Sequence, residues 1–165
     1  DWAGRARRSH RRGDQSLFGI VQGGVDPKRR AISAGAIVEL EFDGYGIGGL
    51  SVGEPREQML PALAAALVEL PADRPRYLMG VGDPISLVEA VALGVDQFDC
   101  VMQTRLGRHG TALTSLGRRQ VKAARFAGSE EPVDPDCDCE VCARHSLGYI
   151  RHLLQVNEPT AARLL

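Results

Sequence analysis

Several things are scarce in this chain, and each scarcity removes a class of function. No apolar run approaches the ~20 residues needed to span a bilayer. The opening "DWAGRARRSH" is polar and basic, without the apolar core of a secretory signal. Formal net charge is only −1, so any contact with nucleic acid must come from a local basic patch. No G-x-x-x-x-G-K-[ST] loop is present, and "GIGGLSVG" and "GVGDPIS" both fail G-x-G-x-x-G, leaving nucleotide-triphosphate and dinucleotide sites unsupported. There is no G-x-S-x-G elbow. Cysteine is rare, with four in 165 residues, yet three of them fall within "CDCEVC".

With 44% apolar residues the chain has the composition of a globular domain with a real core. These features together predict a cytosolic protein, where thiols stay reduced and clustered cysteines point to metal rather than disulfides. Cys137, Cys139 and Cys142 form C-x-C-x-x-C, a spacing that lets three thiolates chelate one zinc ion. A closed site needs a fourth ligand. His145, His152 or a residue past Leu165 could supply it.

Four apolar runs read as strands covered on both faces: 17–21, 45–49, 76–81 and 97–102. Amphipathic stretches separate the first three. One opens with Asp26-Pro27 and is expected to place Ile32, Ile37 and Leu40 near one face. Another sets Leu60, Leu63, Leu67 and Leu70 at helical spacing, and a third opens with Asp83-Pro84. Alternation of this kind predicts βα units around a parallel sheet, an α/β fold.

The residues after each strand carry the functional signal. "VQGG", "GGLSVGE", "MGVGDP" and "FDCV" put glycine or polar residues where α/β sheets place their sites. Asp96 and Asp99 in "VDQFDC" are both able to serve as nucleophile, base or cap. "QTRLGRHG" reads as a short basic loop suited to a phosphate backbone. The run Arg5, Arg7, Arg8, Arg11 and Arg12 reads as a solvated helix face. "GSEEPVDPDCDCEVC" reads as an irregular loop carrying the thiols, followed by a return to helix.

Taken in order, "FGIVQGG", "GIGGLSVGE", "YLMGVGDP", "FDCV-QTR-GR-G" and C-x-C-x-x-C resemble the tRNA-guanine transglycosylase family. The match resembles the C-terminal half of the catalytic protein and implies a longer chain. The resemblance implies a (β/α)8 TIM barrel with an inserted zinc-binding subdomain. Residues 1–127 would form the C-terminal half of the barrel, and 128–165 the zinc subdomain and following helices. It implies exchange of the wobble guanine in tRNAs with GUN anticodons for 7-aminomethyl-7-deazaguanine, a step toward queuosine. Asp99 resembles the nucleophile that attacks the ribose anomeric carbon. Gln22, Gly49, Leu50, Ser51 and Met79 resemble the base-binding positions, with Glu54 behind the loop.

Gly80, Val81, Gly82, Asp83, Pro84, Ile85 and Ser86 resemble one tRNA-contacting segment; Thr104, Arg105, Leu106, Gly107 and Arg108 resemble another. Val52 resembles bacterial-type members and favours the aminomethyl base. Zn2+ would be structural, its fourth ligand a histidine past Leu165. The family's proton-accepting Asp, in a "DSGG" motif, would lie upstream. A homodimer formed through the zinc region is the implied assembly, with no membrane partner. Gln103 and His109 depart from the usual "PTR" and Asn. Two rivals remain: a non-catalytic tRNA-binding partner subunit of the same fold, and a relative acting on archaeal tRNA or on DNA. Half a barrel would expose strand edges, so the 165 residues in isolation are expected to be unstable and inactive.

Overall fold

The computed structural model describes all 165 residues and divides into two compact units, Asp1–Cys100 and Val101–Leu165. The sequence expectation placed its boundary later, between 127 and 128.

The first unit is built from β1 (Phe18–Val21), α2 (Pro27–Val38), β2 (Gly44–Ile47), α3 (Arg56–Glu69), β3 (Arg76–Leu78), α4 (Pro84–Ala92) and β4 (Gln97–Phe98), preceded by α1 (Trp2–Ser9). The four strands are parallel and lie in the order β1-β2-β3-β4, so each βα unit adds the next strand to the same edge. The Asp-Pro signals act as expected. Asp26 accepts hydrogen bonds from the N–H groups of Lys28 and Arg29, and Asp83 from that of Ser86, each with proline in the first helical turn.

Side chains alternate across a strand, so the two sheet faces have different fates. Val21, Ile47 and Leu78 lie in one row of the sheet and are fully buried, in a core with Ala34, Leu63, Ala66 and Leu67 from α2 and α3. The next row up the chain, Ile20, Gly46 and Tyr77, faces the opposite side, where Ile20 is 45% exposed. The first unit thus covers one face of its sheet with helices and leaves parts of the other open.

Some sequence expectations need correcting. Ile32 does not join Ile37 and Leu40 on the core face; it is 73% exposed. Five residues on a helix turn through about 140°, too far for Ile32 and Ile37 to share a face. Strand 97–102 shortens to Gln97–Phe98, because from Met102 the chain is helical. The "QTRLGR" segment is therefore helix α5 (Met102–Arg108), not a loop.

The second unit holds α5, an antiparallel hairpin of β5 (Thr111–Thr114) and β6 (Gly117–Gln120), and helices α6 (Glu140–Arg144), α7 (Leu147–Gln155) and α8 (Pro159–Leu164). Its core gathers Ala112, Val121, Phe126, Val133, Leu147, Ile150, Leu154 and Ala161. Gly107 on α5 meets α8 so closely that an added Cβ would lie 3.1 Å from the Ala162 carbonyl oxygen. No helix is long and apolar enough to cross a membrane.

Candidate active site and thiol cluster

Sheet register brings the predicted residues of the first unit together. Val21, Ile47, Leu78 and Phe98 form one continuous row across the four strands. The residues that follow them are Gln22, Gly48, Met79 and Asp99. All four therefore leave the sheet at the C-terminal ends of adjacent strands, about 14 Å from first to last at ordinary strand spacing. By alternation they point to the open face, away from the helices.

Asp99 is exposed and held from two directions. Its Oδ1 accepts the Tyr77 hydroxyl at 2.5 Å and the Gly80 N–H at 2.9 Å. Gly80 reaches this position with φ +77, a left-handed turn that a residue with a Cβ adopts only under strain. The Tyr77 hydroxyl first, and the Gly80 N–H second, hold the Asp99 carboxyl below the usual carboxylate range. The same hydrogen bond pushes the Tyr77 phenol up, so the donor keeps its proton. An ionised, solvent-facing, oriented carboxylate is equipped to act as a nucleophile.

Asp96 has a different task. Its carboxylate accepts the Arg76 N–H at 2.9 Å, and its own N–H donates to the Arg76 carbonyl at 2.9 Å, tying the starts of β3 and β4. Residue chemistry alone left these two acids undecided and only the resemblance singled out Asp99; the structure gives them different partners at opposite ends of β4.

The Gln22 amide lies against a glycine pair. A Cβ on Gly48 would fall 2.7 Å from Gln22 Nε2, and one on Gly49 2.6 Å from Gln22 Oε1. Met79 Sδ would be 3.5 Å from a Cβ on Gly46, which places the thioether over the floor between β2 and β3. Leu50 is buried, whereas Ser51 and Val52 are exposed. Ser51 sits at φ 59, and Glu54 accepts the N–H groups of Ser51 and Val52. Burial pushes the Glu54 carboxyl up, but those N–H groups and the charge of Arg30 outweigh it and leave the carboxyl below its ordinary value.

Arg30 was missed by the sequence reading. It is fully buried, and its guanidinium donates to the carbonyls of Gly24 (2.7 Å), Gly48 (2.7 Å), Gly49 (3.0 Å) and, more distantly, Val21 (3.4 Å). In the sequence it is one arginine among a solvated run, "KRR", at the start of α2. Only the asymmetry of that helix marks it, since Arg30 and Ala34 share its inward face.

Of the segment 80–86, Gly80, Pro84 and Ile85 are exposed and Asp83 is half-buried, whereas Val81, Gly82 and Ser86 are buried. Thr104, Arg105 and Arg108 are exposed on α5, Leu106 is half-buried and Gly107 is buried.

The second unit carries the thiols. Sγ atoms of Cys137, Cys139 and Cys142 all lie within 4.8 Å of one another. Tetrahedral zinc with sulfur ligands needs about 3.8 Å between sulfurs, so a small closure would suit the ion. Asp134 ties this loop to the β5–β6 turn, accepting the Ser115 N–H at 2.7 Å and hydroxyl at 2.6 Å, while its carbonyl accepts the Cys137 N–H at 3.3 Å. Burial pushes the Cys142 thiol up to about 11. The Cys142 N–H first, and the Cys137 thiol second, draw Cys139 down. His145 stacks on Tyr149 with ring centroids 5.4 Å apart.

The chain is thus an α/β protein whose parallel sheet carries an oriented carboxylate, an amide and paired glycines at its strand ends, and which also holds a three-thiol cluster able to bind a metal. The profile of the queuine tRNA-ribosyltransferase family matches residues 1–165, and the chain belongs to that family. A queuine tRNA-ribosyltransferase of Pelotomaculum thermopropionicum is 53% identical over 163 residues, covering 99% of this chain and 44% of the relative. Relatives of the same description from Geobacillus kaustophilus and Listeria monocytogenes are each 51% identical over 164 residues, covering 99% of this chain and 43% of their own length. The chain thus spans less than half the length of these relatives.

Proposed function

We propose that this chain contributes to a tRNA-guanine transglycosylase, an enzyme that replaces the wobble guanine of GUN-anticodon tRNAs by 7-aminomethyl-7-deazaguanine. The observation that carries this reading is the ionised Asp99 at the end of β4, in the same row as Gln22, Gly48 and Met79. A flipped-out nucleotide would lay its base over Met79, its edge against Gln22 and Gly49, and its ribose toward Asp99. An Asp99 carboxylate oxygen would bond to the ribose anomeric carbon as the bond to guanine N9 breaks; the departing base takes a proton at N9. The incoming base then gives up its N9 proton, bonds to the same carbon and releases the carboxylate. Two displacements retain configuration. The proton carrier is expected outside these residues, as the resemblance implies.

Four parallel strands in sequential order, joined by three helices and with parts of one face uncovered, suit an arc of a (β/α)8 barrel whose remaining strands would close over Ile20 and Tyr77. The segments 80–86 and 104–108 would contact the tRNA backbone, Arg105 and Arg108 through phosphate. Cys137, Cys139 and Cys142 would hold a structural zinc, which supplies folding energy rather than chemistry. A homodimer and a cytoplasmic location complete the proposal. Val52, which is 80% exposed beside Ser51, fits the smaller aminomethyl base.

The test uses the full-length protein that carries this segment. Wild type, tRNA and labelled guanine should give base exchange and a covalent protein–RNA adduct on a denaturing gel. Asp99→Asn should lose both while still binding tRNA. An adduct that persists in Asp99→Asn rejects Asp99 as nucleophile, and tRNA binding without any exchange in the wild type favours the partner-subunit reading.

A further inference from the structure

Arg30 is the one fully buried charge in the chain, and no carboxylate accepts from it. A buried cation is costly unless its surroundings compensate it, and here every hydrogen bond it donates goes to a backbone carbonyl, with the Glu54 charge acting from further away. Those carbonyls belong to the loops after β1 and β2, the two loops that carry Gln22 and Gly49. Every peptide in the chain is trans, so a carbonyl turned toward Arg30 turns the next residue's N–H the opposite way. The carbonyls of Gly48 and Gly49 face the guanidinium, hence the N–H groups of Gly49 and Leu50 face away from it. Neither N–H donates a hydrogen bond to another group of the protein. A cation hydrogen-bonded to a carbonyl also polarises that peptide and strengthens its N–H as a donor.

We infer that Arg30 is a positioning residue that sets which edge of the base the site accepts: by gathering the Gly48 and Gly49 carbonyls behind the loop, it presents a pair of N–H donors to the ligand. This rests on the base-exchange reading and adds its specificity. Two adjacent donors match a ring bearing an exocyclic oxygen, such as a 6-oxopurine or its 7-deaza analogue. A 6-aminopurine would set its own N–H against them. Gly49 at φ +66 lets the loop make this turn, and its lack of a Cβ leaves room for the Gln22 amide beside it.

Arg30→Lys and Arg30→Gln in the full-length protein test the assignment, with guanine exchange measured at varied base and varied tRNA. Lysine keeps the charge but loses the fork that holds two loops at once. The expected result is a KM for guanine raised about tenfold or more, as loss of positioned hydrogen bonds implies. The KM for tRNA should stay within about twofold of wild type, and discrimination of guanine over adenine as a competing ligand should fall. A folded variant with wild-type guanine KM and wild-type discrimination overturns the role. Should neither variant fold, amide hydrogen exchange on the wild type decides: saturating guanine should protect Gly49 and Leu50, and unchanged exchange at both overturns it. If the wild-type protein exchanges no guanine at all, the base-exchange reading fails instead, which separates the two conclusions.

Discussion

Tyr77 lies on β3 and Asp99 directly follows the neighbouring parallel strand β4, and the tyrosine hydroxyl donates to the aspartate at 2.5 Å. The phenol is the largest cause of the depressed Asp99 pKa. A nucleophilic carboxylate must be ionised, so activity is lost as pH falls through its pKa. Tyr77→Phe removes the donor and lets that pKa climb toward the ordinary value, leaving only Gly80. The acid limb of the kcat/KM profile should therefore move to higher pH in Tyr77→Phe, with the alkaline limb unmoved because the raised Tyr77 pKa keeps the phenol protonated there. Superimposable acid limbs in the two proteins would show that Tyr77 does not tune the nucleophile.

Two glycines of β2 and its following loop separate function from stability. An added methyl on Gly48 meets the flexible end of Gln22 at 2.7 Å, whereas one on Gly44 meets the Phe18 ring at 2.4 Å. Gly48→Ala should displace the Gln22 amide, raise the KM for the base about tenfold and leave thermal stability nearly unchanged. Gly44→Ala overpacks the neighbourhood of a ring that cannot swing freely and should destabilise by about 1–3 kcal/mol, with base KM unaltered in the folded fraction. Denaturant melts and base-dependent kinetics on both variants check the contrast.

Metal at the thiol cluster should show a pH signature. With a pKa near 11, Cys142 is a thiol at neutral pH, and a zinc ion must displace its proton. Each unit of pH below that value should weaken zinc binding about tenfold for this one proton, so affinity rises with pH. In the metal-free protein the sign is opposite. The folded state holds the proton more tightly than the unfolded chain, so stability falls as pH rises from the ordinary thiol value of 9 toward about 11. Competition with a zinc-sensitive dye at several pH values measures the first effect; chelated protein melted across pH 8–11 measures the second. A pH-independent zinc affinity would show that Cys142 is not a ligand.

Local signals carried the alternation of strands and helices and the parallel sheet. Asp-Pro at 26–27 and 83–84 marks a cap and a fixed first turn, and both helices begin there. Val21, Ile47 and Leu78 belong to short apolar runs that only a sheet covered by helices can bury. Gln22 stands one residue past its run, whereas Met79 and Asp99 lie inside the runs drawn at 76–81 and 97–102, and only the shorter strands Arg76–Leu78 and Gln97–Phe98 put them at strand ends. What escaped depends on direction around a helix or on length. Arg30 looks like its solvated neighbours Lys28 and Arg29, because composition cannot say which arginine turns inward. "QTRLGR" looked like a loop because Gly107 is poor helix material, yet that glycine is what lets α5 approach α8. Asp96 and Asp99 are the same residue type, so chemistry alone could not separate them; the resemblance pointed to Asp99, and the two stand at opposite ends of one short strand.

The Asp26 cap offers a last test, of how firmly α2 carries Arg30 to its carbonyls. Asp26 accepts from Lys28 at 2.9 Å and Arg29 at 3.2 Å, and its carbonyl accepts the Arg30 N–H at 3.0 Å. Arg30 therefore hangs from the first turn of the helix, the part that frays when a cap is lost. Asp26→Ala should cost about 1 kcal/mol of stability, whereas Asp26→Asn, an equally good cap, should cost almost none. In a full-length protein of this family's size the alanine change should lower the Tm by only about 1–2 °C. Fraying of the first turn would also loosen the guanidinium, so Asp26→Ala should raise the guanine KM by a smaller factor than Arg30→Lys does. Equal stability of the Ala and Asn variants would show that proline and packing alone set the start of α2. A guanine KM raised more by Asp26→Ala than by Arg30→Lys would show that the helix start acts on the base site by a route other than Arg30.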